Sequence, residues 1–230
     1  MYNIIIPTYN EKDNIIPLFK MIHEIFKDMN LEYQIILIDD NSPDNTFDIA
    51  MSLDNINIVG VKRRGKLGLG SAYKAAVEYI TGNYVIIMDA DLSHDPLHIK
   101  DMIKMNLDYD IICGTRYALG GGVYGWSLMR RLISRGANNV ASIMLSLGLS
   151  DVTGSFRIYR ADAFKQLVNH AKSRGYSYQM EVLFLAKKFG YRIGECPIIF
   201  YDRIEGVSKC NIWEMVWFGL MVLYLFLFSS

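Results

Sequence analysis

The chain has 230 residues, with 24 basic and 24 acidic side chains and therefore no formal net charge. A hydrophobic share of 51% and a charged share of 21% exclude a disordered or low-complexity chain. Neutrality excludes a global field that would draw the protein to nucleic acid, so any anion site has to be a local basic cluster.

The length suits one large domain with a sizeable core. Residues 2–6 read as a buried strand that opens without a basic stretch or a cleavage site, so a secretory signal is not expected. The three cysteines, Cys113, Cys196 and Cys210, have no zinc or disulfide spacing and fit a reducing compartment. The catalytic part is expected on the cytosolic side of any membrane.

Ile15, Leu18, Phe19, Ile22, Ile25 and Phe26 repeat at helical spacing and predict a helix with one apolar face. A second strand, 33–38, stops at the turn residues Asp39-Asp40-Asn41-Ser42-Pro43. A short helix over 45–53 and a strand over 56–61 follow. The glycine-bearing loop 65–70 lacks the Gly-Lys-Ser/Thr ending of a P-loop and reads as a turn capping a helix over 71–80. Then come strand 84–88, helix 96–107 and strand 111–115. This β-α-β alternation predicts an α/β domain with a mostly parallel sheet, whose ligands bind at the carboxyl ends of the strands. Asp39, Asp40, Asp89, Asp91 and Arg116 all fall there.

The second half is less regular. Gly120-Gly121-Gly122 is a hinge candidate. A long helix spans 128–147, a strand 154–159, a helix 179–189 and a strand region 191–201. The apolar tail 212–228 has Glu214 as its one charged residue. It falls short of the about 20 residues of a comfortable bilayer span. It suits a buried helix, an interfacial one, or one that meets partner helices in the membrane. The expected division is a catalytic domain over 1–211 and this helix over 212–230.

Asp89-Ala90-Asp91, after a fully apolar strand, is the strongest motif. Two carboxylates one residue apart can converge on a hard cation, Mg²⁺ or Mn²⁺, that also takes phosphate oxygens. Such a cation neutralises a diphosphate leaving group; a solvated acidic turn is the other reading. In Pro7-Thr8-Tyr9-Asn10-Glu11, Tyr9 could flank a base and Glu11 could accept from base or ribose, or the segment is an ordinary strand-to-helix turn. Asp39-Asp40 costs stability unless partners exist; a ribose or an Asx-turn would serve. Arg116, Arg130, Arg131, Arg135, Arg203 and Lys209 suit phosphate, or are surface charge. The four histidines lack metal-ligand spacing.

These segments, with Gly114-Thr115-Arg116-Tyr117, Gly121-Gly122-Val123-Tyr124-Gly125-Trp126, Ile133-Ser134-Arg135-Gly136-Ala137-Asn138, Thr153-Gly154-Ser155-Phe156-Arg157 and Asp202-Arg203 through Lys209, resemble the dolichyl-phosphate mannosyltransferases of inverting glycosyltransferase family 2. The resemblance covers nearly the whole chain and implies a GT-A fold. It also implies mannose transfer from GDP-mannose to dolichyl phosphate at the cytosolic face of the endoplasmic reticulum membrane, with Mg²⁺ or Mn²⁺. The product, dolichyl β-D-mannosyl phosphate, would feed protein glycosylation and GPI-anchor synthesis.

By the same resemblance Pro7, Tyr9, Glu11, Ile38 and Asp40 hold the nucleotide, and Asp89 and Ala90 lie near nucleotide and sugar. Asp91 and Ser93 join Asp89 around the metal, with Ser93 in place of the Gln of relatives. Arg116, Arg203 and Lys209 bind the donor's phosphates, and Arg130 and Ser134 the acceptor phosphate. Asp91, Arg116 and Arg130 carry the catalysis. Relatives of this short type use small membrane subunits as partners. A polyprenyl-phosphate glucosyltransferase using UDP-glucose and an inactive nucleotide-sugar-binding subunit are the alternatives.

Overall fold

In the sheet, neighbouring residues point to opposite faces, so a run of unbroken isoleucine needs apolar layers on both sides. A computed structural model describes residues 1–106, 108–202 and 212–228, with side chains from 216 onward in the last segment. In β1 (Tyr2–Thr8) Ile4 and Ile6 enter one core and Ile5 the other; in β2 (Tyr33–Asp39) Ile35 and Leu37 oppose Ile36 and Ile38 in the same way. Helix α1 (Lys12–Asp28) buries all six residues of its apolar stripe against the first core.

The remaining elements are α2 (Thr46–Met51), β3 (Ile58–Lys62), α3 (Leu69–Ala76), β4 (Tyr84–Ile87), α4 (His98–Lys104), β5 (Ile111–Thr115), β6 (Gly122–Tyr124), α5 (Leu128–Met144), β7 (Arg157–Arg160), α6 (Ala161–His170), α7 (Tyr178–Lys188), β8 (Ile193–Pro197), β9 (Ile199–Tyr201) and α8 (Ile212–Phe228). The main sheet has the order β3-β2-β1-β4-β7-β5-β8, and only β7 runs antiparallel to its neighbours. Helices α1, α2 and α4 cover one face; α3, α5, α6, α7 and α8 cover the other.

Three expectations change. Gly122 is not part of a hinge: it starts β6, which pairs in parallel with β9 outside the main sheet. Region 191–201 is two strands, because Pro197 ends β8 without a backbone N–H and the chain leaves to join β6. Helix α6, unread in the sequence, buries Ala163, Phe164, Leu167 and Val168. Among the described residues no helix is long and apolar enough to cross a membrane.

Candidate functional site

The rim of the site is formed by the carboxyl ends of β1, β2, β4 and β5. Pro7 suits an interior strand because its β4 neighbour has already ended: the β1–β4 ladder stops at Ile5 opposite Ile87, so no partner lacks an N–H. Beyond it the backbone turns sharply, with Asn10 at φ 57° and, after β2, Asn41 at φ 60°. Asparagine tolerates this left-handed region better than most residues.

Asp39 is fully buried. It accepts hydrogen bonds from Thr8 Oγ1 at 3.1 Å, from the Ser42 amide at 2.8 Å and from Ser42 Oγ at 2.6 Å. Asp40 is paired with Arg63, whose Nε donates to it at 2.5 Å and whose Nη1 donates to Ser71 at 2.6 Å. The glycine-bearing loop is therefore tied to the β2 turn. Its Gly68, at φ 91°, caps α3; a Cβ there would lie 2.5 Å from the Arg174 carbonyl.

Lys66 from this loop sits 3.7 Å over the Tyr9 ring. Glu11 is buried and accepts from Asn14 Nδ2 at 2.9 Å. The Ile38 side chain is wholly within the core, so only its backbone can face a ligand. Ala90 is likewise buried.

At the end of β4, Asp89 accepts from Ser155 Oγ at 2.8 Å. Asp91 accepts from the Ser93 amide at 3.1 Å and from Ser93 Oγ at 2.5 Å. Between them Leu92 holds φ 59°, a conformation costing a bulky residue about 1–3 kcal/mol and concentrated at functional sites. His94 is buried, with its Nδ1 4.0 Å from Asp89 and no hydrogen-bond partner there. Burial pushes its pKa down, against the pull of Asp89 and Asp91, so the ring is neutral at pH 7.

No group of three or more His, Cys, Asp or Glu among the described residues could hold a metal alone. Two carboxylates and a hydroxyl fit a different kind of shell. Mg²⁺ is commonly held by one or two carboxylates and completed by substrate phosphates and water. Asp89, Asp91 and Ser93 supply hard oxygen donors of that type, and Asp89 is partly open to solvent.

The opposite wall begins with Arg116 at the end of β5. Its guanidinium is buried and donates to Asp151 through Nε at 2.6 Å and Nη2 at 2.8 Å, and to Thr153 at 2.7 Å. Burial alone would push the Asp151 carboxyl up, but the charge and hydrogen bonds of Arg116 hold it below the usual carboxylate range.

Helix α5 is capped by Ser127, whose side chain accepts from the Arg130 amide. Arg130, Ser134 and Asn138 then recur every four residues and share one face. Arg130 lies 3.9 Å over the Trp126 ring and donates to Asp202 at 3.2 Å. Ser134 accepts from Tyr117 at 2.7 Å. Asn138 fastens α5 to the 151–155 segment, accepting from the Val152 amide at 2.7 Å and donating to Thr153 at 3.1 Å. Phe200 bridges the walls, 5.3 Å from the His94 ring and 5.5 Å from the Arg116 guanidinium.

The structure thus gathers the acidic turn, Arg116 and the inner face of α5 on one rim. Arg203 and Lys209 lie outside the described residues. Sequence reading missed Arg63, Asn138, Asp151 and Ser155 as parts of the site. Ser155 and Asn138 stood within recognised motifs, whereas nothing local marks Arg63 or Asp151.

The chain matches the model of glycosyl transferase family 2 over residues 3–168. It is 32% identical over 218 residues to polyprenol monophosphomannose synthase of Mycolicibacterium smegmatis, covering 90% of this chain and 80% of that protein. It is 34% identical over 214 residues to undecaprenyl-phosphate mannosyltransferase of Micrococcus luteus, covering 90% and 86%. In fold it is similar to glucosyl-3-phosphoglycerate synthase of Mycobacterium tuberculosis, solved with Mn²⁺ and UDP-glucose. That match has a TM-score of 0.70 at 16% identity and covers 98% of this chain and 78% of the other.

Proposed function

Since the chain belongs to glycosyl transferase family 2 and has the GT-A fold, we propose that it transfers mannose from GDP-mannose to a polyprenyl phosphate, dolichyl phosphate in the narrower reading. The carrying observation is the shared rim. An acidic turn, Asp89 to Ser93, faces a wall bearing Arg116 and Arg130. The two relatives named for polyprenol and undecaprenyl-phosphate mannose transfer support the acceptor class.

On this reading the β1 and β2 ends receive the nucleotide. Tyr9 flanks the base; Glu11, Asp40 and the Ile38 backbone take its polar groups. Asp89, Asp91 and Ser93 would hold Mg²⁺ or Mn²⁺, which when bound neutralises the donor diphosphate. Arg130 and Ser134 receive the acceptor phosphate. Asp202 occupies Arg130 at 3.2 Å in the structure, and a phosphate dianion offers the guanidinium a stronger bidentate partner.

The attacking oxygen of a phosphate monoester is already anionic near neutral pH, so no general base is required. This agrees with a neutral His94 and with a rim that offers positioning and charge. Attack opposite the leaving diphosphate gives the inverted, β-linked mannosyl phosphate. We place the reaction at the cytosolic face of a membrane, the endoplasmic reticulum in the dolichyl reading, with small membrane subunits as candidate partners.

A turnover assay tests this with Mg²⁺, a short polyprenyl phosphate, and GDP-mannose and UDP-glucose in competition. Mannosyl phosphate product is expected. Preferential glucose transfer would replace the donor assignment, and no transfer from either donor would overturn the activity.

A further inference from the structure

The reversed strand β7 begins with a side chain that neither the acidic turn nor the arginine wall uses. Arg157 is 0% exposed. Among the described residues its hydrogen-bond partners are all uncharged. Nη2 donates to the Val152 carbonyl at 3.2 Å, and Nη1 to the Gln179 carbonyl at 2.8 Å and the Tyr159 hydroxyl at 3.3 Å. Nε is buried without a partner. Asp151, whose charge reaches it, is bonded to Arg116 instead. Burying a charge in this way costs several kcal/mol, and well-packed apolar residues of similar volume are often as stable or more so. Stability alone does not account for an arginine here.

What the guanidinium holds does account for it. Val152 lies in the 151–155 segment, and three side chains of that segment reach the rim. Asp151 takes the Arg116 guanidinium at 2.6 and 2.8 Å. Thr153 meets Arg116 at 2.7 Å and Asn138 of α5 at 3.1 Å. Ser155 donates to Asp89 at 2.8 Å. On its β5 side the segment has little room to shift, since a Cβ on Gly154 would lie 3.1 Å from the Gly114 carbonyl. On its inner side Arg157 ties the Val152 carbonyl to α7 at Gln179, whose side-chain amide goes on to the Tyr73 hydroxyl of α3 at 3.2 Å. A guanidinium is planar with its donors in a fixed fork, so two carbonyls bonded to it keep a set spacing; a lysine ammonium imposes none.

We propose that Arg157 is a positioning residue: by fixing the 151–155 segment from within the fold, it sets the separation between the Asp89 carboxylate and the Arg116 guanidinium. The inference deepens the proposed function and rests on it, because that separation matters to transfer only if the donor diphosphate is held between the two.

The test uses the full chain and Arg157→Lys, which keeps the charge and loses the fork. Hydrogen exchange at the Val152, Thr153 and Gly154 amides should quicken by about tenfold, with the amides of β1 and α1 within about twofold of the parent. Unchanged exchange at 152–154 would overturn the proposal. So would a rise spread evenly over the chain, which would mean that the arginine supports the fold as a whole. Should Arg157→Lys fail to fold, Tyr159→Phe removes one contact of the guanidinium. A rise of about threefold confined to 152–154 is then expected, and none there would overturn the proposal.

In transfer assays Arg157→Lys should lower kcat by about 30-fold and leave the KM for GDP-mannose within about twofold, the pattern of misplaced groups. Ser155→Ala should cost about tenfold in the parent, where a bond to a charged group is lost. In the Arg157→Lys background it should cost about twofold or less, because the displaced segment no longer brings the hydroxyl to Asp89. Losses that simply multiply would overturn the proposal. A parent that transfers nothing, while exchange at 152–154 responds as expected, would sink the proposed activity and uphold the placement by Arg157.

Discussion

Two acidic turns follow the two parallel strands that flank β1, and they are treated differently. After β2, Asp39 is buried with three hydrogen bonds from Thr8 and Ser42, and Asp40 is paired with Arg63. After β4, Asp89 has a serine hydroxyl at 2.8 Å, and its ionisable neighbour His94, at 4.0 Å, is kept neutral by burial. In the first turn charge is answered largely within the chain, where it fixes the turn and the glycine loop. In the second, Asp89 is hydrogen-bonded by an uncharged serine, and the Arg116 charge that acts on it is already paired with Asp151, a condition a cationic ligand would relieve. The motif alone does not separate the two turns; their partners do.

Substitutions can break or sharpen that contrast. Asp91→Ala is expected to lower transfer by about 1000-fold, the scale of losing a main electrostatic contact in a transition state, while leaving the melting temperature near the parent's. Near-parental turnover would erase the distinction between the turns.

Asp151→Asn extends the comparison to a third carboxylate, one answered completely by Arg116. It should cost about 3 kcal/mol of stability in urea unfolding, because a buried guanidinium loses its counter-charge. The folded-state pKa of Asp151 lies below its unfolded value. Its contribution is therefore present above about pH 4 and is lost as pH falls through the folded value. The variant should show a flatter stability–pH curve in that acid window, and an unchanged slope would refute the pairing.

Asp39→Asn is the mildest. It should cost about 1–2 kcal/mol through weakened hydrogen bonds to Ser42 and Thr8, with the donor KM near the parental value. A large rise in that KM with little loss of stability would move Asp39 from the fold to the site.

The first half was legible because its signals are local. The isoleucine runs of β1 and β2 specify strands buried on both faces, and the six-residue stripe of α1 is the buried set observed. The Asp89-Ala90-Asp91 turn declares itself within three residues. Arg116 could be read as a strand-end arginine, but its partner Asp151 is 35 residues away and has no periodic signal. Arg63 could not be matched to Asp40 across 23 residues for the same reason. Nor does any local pattern state that β7 runs antiparallel, or that β9 leaves the main sheet to pair with β6. Long-range partners, rather than intrinsic propensity, decide those features.

The reversed strand β7 also has a consequence for how the protein is made. It sits between β4 and β5, and the segment just ahead of it brings Ser155 to Asp89 across 66 residues of chain. Closing a loop of that length carries an entropic cost before any contact rewards it. Strands β1, β2 and β3 can zip on shorter connections, so the centre of the sheet is expected to be completed late. A growing polypeptide would then hold the finished β1 and β2 turns while its arginine wall is still unassembled, and only the insertion of β7 would join the two halves into one surface.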